Sequence, residues 1–315
     1  MQKKVMEHLL ESESIALFVH TNPDWDCIGS AFALRAAMRA LEKKCDIFTE
    51  EKLGSYLSFM ESDVITYEEG FFPDYQTYCA VDVGELSRLG KWEKAFSLHK
   101  DTVCIDHHIK KAGFAALSYI ESERSCTGEL IFELLSLKNI PVTKKIADYL
   151  YLAMSSDTGS FQYASVNRRT YEILIALYDA GVDAAYLSSM LYERETFTQM
   201  KLKAAAIESM RVYGGGKICT AKITAEDMEK YGASKSDTEG LAQLPRKLDG
   251  VMISAFLSDR PDGTVRVSLR ASGNYNIEPI ARLFGGGGHK RAAGCTFNTD
   301  INTAEEILVK ELLKL

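Results

Sequence analysis

No apolar run in this chain approaches the roughly eighteen residues that a membrane-crossing helix needs. Its opening stretch, MQKKVMEHLLESES, scatters charges among its apolar residues, whereas a secretory leader needs an uninterrupted hydrophobic core. Both absences lead to the expectation of a soluble, cytoplasmic chain with no membrane partner. Also missing is any C-x-x-C pair. The cysteines (Cys27, Cys45, Cys79, Cys104, Cys126, Cys219 and Cys295) are odd in number and widely spaced, which argues against a disulfide framework or a zinc knuckle and for reduced, buried thiols. No long low-complexity tract and no repeat of about 20–50 residues is present, so a solenoid is excluded.

What remains is ordinary globular composition, 46% hydrophobic and 26% charged over 315 residues, a length that accommodates two cores. The net charge of −7 is unevenly divided: residues 1–200 hold 20 Lys and Arg against 30 Asp and Glu, and residues 201–315 hold 17 against 14. An acidic half suits divalent cations, and a mildly basic half suits an anionic substrate.

In the first half, short apolar runs alternate with helical periodicity. Ile15–His20, Cys45–Thr49, Thr77–Val83 and Thr102–Ile105 have strand composition, while Ile28, Ala31, Phe32, Leu34, Ala37, Met38 and Leu41 recur at helical spacing. This βαβ order predicts an α/β fold, with a mostly parallel sheet covered by helices on both faces. From about Thr127 the pattern turns helical through Gly128–Lys138, Lys144–Ser156, Arg168–Ala180 and a long stretch from Ala184 to Tyr213, part of which reads as a connection between domains. Gly214-Gly215-Gly216 then opens a smaller α+β unit. Strands are predicted at Lys217–Thr224, Val251–Ser258 and Thr264–Ala271, and helices at Thr238–Leu248, Ile277–Phe284 and Thr303–Leu315. The expected division is a metal-binding catalytic domain over 1–185, a helical linker over 186–212 and a substrate-binding domain over 213–315.

Four Asp/His clusters each follow one of these apolar segments. In His20-x-Asn22-x-Asp24-x-Asp26, alternation along extended backbone would turn all four polar side chains to one side. A lone Asp there would be an ordinary helix cap; a His with two Asp at this spacing points to a metal. Asp82 follows TYCAV, where a carboxylate could be shared by two cations about 3.5–4 Å apart. Asp106-His107-His108 follows VCI. Consecutive side chains at a strand end face opposite ways, so one His is expected to ligate and the other to face the substrate, with Asp106 orienting an imidazole. Asp157 closes the helical Lys144–Ser156 segment. Ligands of open α/β sheets sit beyond the carboxyl ends of the strands, where His20, Asp82 and Asp106 fall.

The second unit contributes Gly285-Gly286-Gly287-Gly288-His289-Lys290. Uncovered N–H groups in a glycine run can wrap an anion, and His289, Lys290 and Arg291 add donors and charge. No Ser or Thr follows Lys290, so this is not a Walker A loop. Arg270-Ala271-Ser272 adds a guanidinium and a hydroxyl at the end of a predicted strand.

These motifs, in this order, resemble the DHH phosphoesterase superfamily over essentially the whole chain: His20, Asp24 and Asp26 its first motif, Asp82 its second, Asp106-His107-His108 the triplet behind the name, and Asp157 its fourth. GGGGH with Ala292-Ala293-Gly294 resembles the C-terminal domain that accompanies it, and the nano-RNase branch is the most similar. The resemblance implies His20, Asp24, Asp26, Asp82, His107 and Asp157 as ligands of two divalent cations, Mn²⁺ by family preference, with Asp82 shared. It also implies His108, Asp106 and Asn22 as catalytic residues, and Arg270, Ser272, Gly286, Gly287, Gly288 and His289 as holding the far end of the substrate in a cleft between the domains. Where the family pattern would put Ser directly after Arg270, this chain has Ala271. The implied reaction is in-line attack of a cation-activated water on short RNA oligonucleotides, giving mononucleotides, and on 3′-phosphoadenosine 5′-phosphate, giving AMP. A homodimer is compatible with it. Rival readings are a linear or cyclic dinucleotide phosphodiesterase, a RecJ-like exonuclease for single-stranded DNA, and a nucleotide-binding regulator without catalysis.

Overall fold

The computed structural model describes residues 1–53, 59, 63–108, 113–238 and 240–315, and divides into two compact units, Met1–Arg194 and Glu195–Leu315. In the first, β1 (Ser14–Phe18), β2 (Lys44–Thr49), β3 (Ile65–Thr66), β4 (Thr77–Val81), β5 (Thr102–Asp106) and β6 (Leu117–Ile120) form one sheet in the order β3-β2-β1-β4-β5-β6. Every pairing in it is parallel. Buried on both faces, β4 and β5 carry continuous apolar runs rather than alternation.

One face packs Ile15, Leu17, Val81 and Ile105 against α1 (Gln2–Glu11), α2 (Trp25–Ala40), α4 (Thr127–Leu137) and α5 (Lys144–Asp157). The other is aromatic, with Phe18, Phe48, Tyr78, Trp92 and Phe96 clustered beside α3 (Glu93–Leu98). The unit ends with α6 (Arg168–Asp179) and α7 (Ala184–Tyr192). This is the helix-flanked parallel sheet expected from the sequence. Its strand order reverses between β1 and β4, so the switch-point crevice opens where His20 and Asp82 leave their strands.

In the second unit, β7 (Arg211–Tyr213), β8 (Ile218–Ile223), β9 (Ile253–Asp259), β10 (Val265–Ala271), β11 (Gly287–His289) and β12 (Ala292–Phe297) form a mixed sheet ordered β11-β12-β10-β9-β8-β7. Only β8 and β9 run parallel. Ile253, Leu257, Val267 and Leu269 form a core with α10 (Glu278–Leu283) and α11 (Ile301–Leu312), while Phe256 and Ala221 face α8 (Phe197–Glu208).

Several local expectations are corrected. The helical stretch from Ala184 to Tyr213 is interrupted after Tyr192, because Thr196 caps a new helix through a reciprocal capping box with Gln199, and its last residues are β7. The helix expected over Thr238–Leu248 is replaced by short 3-10 turns at Lys235–Thr238, Leu241–Gln243 and Pro245–Lys247; position 239 lies outside the described residues. Absent from the sequence reading, α1 buries Val5, Met6 and Leu9 beneath its charged residues. Among the described residues no single helix is long and apolar enough to cross a membrane. Every cysteine is free and buried.

Candidate metal centre and substrate face

Asp82 is the hub of the first unit's site. It lies directly beyond β4, is 2% exposed and sits in the left-handed backbone region at φ 60°, a conformation that Asp tolerates better than most residues. Its two carboxylate oxygens face different imidazoles: Oδ2 is 3.7 Å from His20 Nε2, and Oδ1 is 3.8 Å from His107 Nε2. Asp24 Oδ2 lies 3.9 Å from His20 Nε2 on one side. On the other, His107 Nε2 is 3.7 Å from Asp26 Oδ2 and 3.5 Å from Asp157 Oδ2. All six expected ligands thus converge, in two sets joined by Asp82.

The local backbone differs from the alternating extended segment expected between His20 and Asp26. Asn22 has φ 49°, Asp24 caps α2 by accepting from Cys27 N–H at 3.1 Å, and Asp26 already lies in its first turn. Helix entry, rather than strand pleating, therefore aims the two acids, and Asn22 is left exposed rather than drawn into the ion-pair network. Asp26 also caps a helix, although not its own. Its carboxylate accepts from Thr127 N–H at 2.7 Å and Gly128 N–H at 3.0 Å, so the N-terminus of α4 holds the acid in place.

His108 also borders the hub, with Nδ1 3.6 Å from Asp82 Oδ1, but its closer partner is Asp106. Nδ1–H donates to Asp106 Oδ1 at 2.7 Å, and half of the side chain remains exposed. Asp106, buried at the end of β5, therefore fixes this imidazole with Nε2 directed away from it. The hydrogen bond to its carboxylate raises the His108 pKa, to about 9 in the metal-free protein.

Burial pushes Asp26 well above the usual carboxylate range, and the neighbouring Asp82 and Asp157 add to it. Burial followed by the Asp24 charge raises Asp82 to about 8. Asp157 is likewise raised by burial, against the pull of His107. Acids crowded together without enough positive charge are the electrostatic counterpart of a cation site, and the oxygen and imidazole donors fit hard or borderline divalent ions. Cys27 Sγ, also near His20 and Asp82, is a poorer candidate: burial holds its thiol protonated and it donates to the Val81 carbonyl at 3.3 Å.

In the second unit, the four-glycine run is not a free loop, because Gly287, Gly288 and His289 pair with Gly294, Ala293 and Ala292 as an edge strand. Glycine is required there by close backbone approach. A Cβ on Gly286 would sit 2.1 Å from Gly294 O, and one on Gly288 would sit 2.5 Å from Ala292 O. Ala292 pairs in turn with Arg270, so His289 and Arg270 flank it on one face of the sheet. Ser272 lies just beyond β10, its N–H donating to the Met252 carbonyl at 2.8 Å. The structure groups Arg270, His289 and the glycine edge within this unit.

Residues 14–154 match the DHH family, N-terminal domain, and residues 215–314 match the DHHA1 domain, between them most of the chain. The chain belongs to the DHH family. Its similarity to the bifunctional oligoribonuclease and PAP phosphatase NrnA of Thermus thermophilus is 29% identity over 93% of this chain and 87% of that one. A crystal structure of an exopolyphosphatase-related protein from Bacteroides fragilis superposes with a TM-score of 0.91 at 25% identity, covering 100% of this chain and 97% of that one. The structure of exonuclease RecJ bound to manganese shares the fold at 12% identity, with a TM-score of 0.54 over 99% of this chain and 94% of that one.

Two residues of the DHH unit escape sequence reading. Thr127 Oγ1 donates to Asp82 Oδ1 at 2.8 Å, from 45 positions away in the chain. Arg88 places Nη2 at 2.9 Å from His20 Nδ1, the nitrogen that also faces the Thr21 carbonyl at 2.9 Å. These contacts select different tautomers. With the proton on Nδ1 the ring donates to Thr21 and turns its Nε2 lone pair toward Asp24 and Asp82, the form a metal requires. Neither Thr127 nor Arg88 belongs to an acidic or histidine motif, so no local signal marks them.

Proposed function

We propose that this DHH enzyme hydrolyses short oligoribonucleotides to mononucleotides and removes the 3′-phosphate of 3′-phosphoadenosine 5′-phosphate, using two divalent cations, Mn²⁺ first among them. The observation that carries the reading is Asp82, a buried carboxylate whose oxygens face His20 on one side and His107 on the other. His20, Asp24 and Asp82 would hold one ion; Asp26, Asp82, His107 and Asp157 would hold the second. The similarity to an oligoribonuclease and PAP phosphatase supports the substrate class, and the manganese-bound RecJ fold supports the metal.

When bound, such ions supply Lewis acidity to the phosphoryl oxygens, the attacking water and the leaving oxygen. The protein's own groups do the rest. Asp106 holds His108 through Nδ1 and leaves Nε2 free, so that nitrogen would donate a hydrogen bond to the scissile phosphate and, when protonated, a proton to the departing oxygen. Arg270, Ser272, His289 and the edge formed by Gly286, Gly287 and Gly288 would hold the substrate's other end in the DHHA1 unit. Asn22, exposed at the entry to α2, would contact substrate rather than metal. The working protein is cytoplasmic in this reading, and a homodimer is compatible with it.

The test is parallel hydrolysis, with Mn²⁺, of di- to pentanucleotide RNA, longer RNA, single-stranded DNA, 3′-phosphoadenosine 5′-phosphate and cyclic di-AMP. We expect turnover of the short RNAs and the bisphosphate above the others. Hydrolysis of neither would overturn the proposal, and preference for cyclic di-AMP would replace it with a dinucleotide phosphodiesterase.

A further inference from the structure

Strand β10 alternates strictly. Val265, Val267 and Leu269 are no more than 1% exposed in the core, so Arg266, Ser268 and Arg270 share the opposite face. Strand pairing sets Thr296, Gly294 and Ala292 of β12 beside them in that order, and Gly287 and His289 of β11 beside Gly294 and Ala292. The function proposed above uses the Arg270 and His289 end of this face. The other end borders a cavity of about 370 Å³, lined by Arg266, Thr296, Phe284 and Gly294 and by Gly286 and Gly287 of the glycine edge already given to the substrate.

Among the described residues no carboxylate lines that cavity. Arg266 is exposed, and among the described residues no hydrogen bond or ion pair occupies its guanidinium. An exposed arginine is commonly just hydrated. This one stands at the wall of a concavity with an exposed hydroxyl, Thr296, directly across the strand pair and with uncovered glycine backbone alongside. A guanidinium with no counter-charge among the described residues leaves the site to an anion from solution, and its planar fork of five N–H donors suits phosphate. Arg266 lies four residues from Arg270, or roughly 13 Å along the strand. One phosphate held at Arg270 therefore does not also occupy Arg266, whereas a phosphate further along the same oligonucleotide reaches it.

We propose that Arg266 and Thr296 form a second phosphate site, which engages oligonucleotides of three or more residues and so gives the DHHA1 unit a preference for chain length. The inference rests on the oligonucleotide reading above. Its test is equilibrium binding of 5′-phosphorylated triadenylate and of AMP to the full-length protein in EDTA, where no hydrolysis intervenes. Arg266→Ala is expected to lower the ratio of triadenylate to AMP affinity about tenfold and to flatten the salt dependence of triadenylate binding by ~0.7 in slope, the loss of one contact to a single strand. Arg266→Lys should keep the slope and recover part of the affinity, because the charge stays while the fork is lost.

An unchanged ratio in Arg266→Ala overturns the site, as does wild-type protein that binds triadenylate no more tightly than AMP. Either result can occur while the same preparation with Mn²⁺ still hydrolyses 3′-phosphoadenosine 5′-phosphate, which leaves the enzymatic reading standing. Conversely, an Arg266 effect on binding in a protein that hydrolyses neither substrate keeps the site and removes the activity.

Discussion

At the scale of single residues, the centre is held by groups that no motif contains. Asp82 accepts from Thr127, and Asp26 is fixed by the backbone N–H groups of Thr127 and Gly128, so one turn at the start of α4 positions two acids that the sequence separates widely. Thr127→Val removes the hydroxyl while leaving the N–H contact to Asp26. It should weaken Mn²⁺ binding about 10–100-fold, the usual effect of losing a partner that orients a ligand, with little change in folding. Calorimetric titration of the metal-free protein checks this, and unchanged affinity would remove Thr127 from the centre. The acids and histidines themselves were legible because strand ends and their polar successors can be read from composition. Thr127 was not, since a threonine at a helix start has an ordinary explanation until the strand that it faces is known.

At the scale of elements, the glycine run illustrates how the right residues can be noticed for an incomplete reason. Read alone, four glycines mean a flexible anion cradle; in the fold, Gly287–His289 is an edge strand whose neighbours leave no room for a side chain at particular positions. Gly286→Ala places a methyl against Gly294 O and should destabilise the DHHA1 unit by ~1–3 kcal/mol or displace β11. Gly287→Ala meets nothing within 4 Å and should cost well under that. Thermal unfolding of the two variants side by side decides it, and equal losses would mean that conformational freedom rather than close approach governs the run. The break in the helical stretch after Tyr192 has a similar origin. Apolar periodicity continues through it, and the capping box at Thr196 and Gln199, visible as a T-x-x-Q pattern, overrides that periodicity.

At the scale of the whole molecule, the candidate metal centre crowds buried acids whose ionisation a cation would favour. Asp82, raised to about 8, and Asp26 and Asp157, raised in the same direction, bind protons more tightly folded than unfolded. Their contribution to metal-free stability is complete below the ordinary carboxylate pKa of about 4 and is lost as pH rises through about 8. His108, raised to about 9, acts in the same sense at higher pH, whereas buried His20, lowered by desolvation, favours folding above its ordinary pKa of about 6.5 and opposes it below. The metal-free protein should therefore lose thermal stability between about pH 6 and 9, and Mn²⁺ at 100 times its dissociation constant should restore about 2.7 kcal/mol. Because binding displaces protons, the stabilisation by a fixed Mn²⁺ concentration should be larger at pH 8 than at pH 6. Melting curves with and without Mn²⁺ across that range test both statements; a metal effect independent of pH would mean that the acids are already ionised.

The parallel sheet and the place of each Asp/His cluster at a strand or helix end follow from the chain alone, because period-2 and period-3.6 patterns and the polar residues that end them are local properties. Which of those side chains stand together is set by the tertiary fold. The reversal of strand order between β1 and β4 brings His20 and Asp82 to one crevice, and α4 docks its N-terminus on Asp26 from 101 positions away. Those are contacts between segments remote in sequence, and their geometry depends on how helices and strands pack rather than on what any single segment prefers.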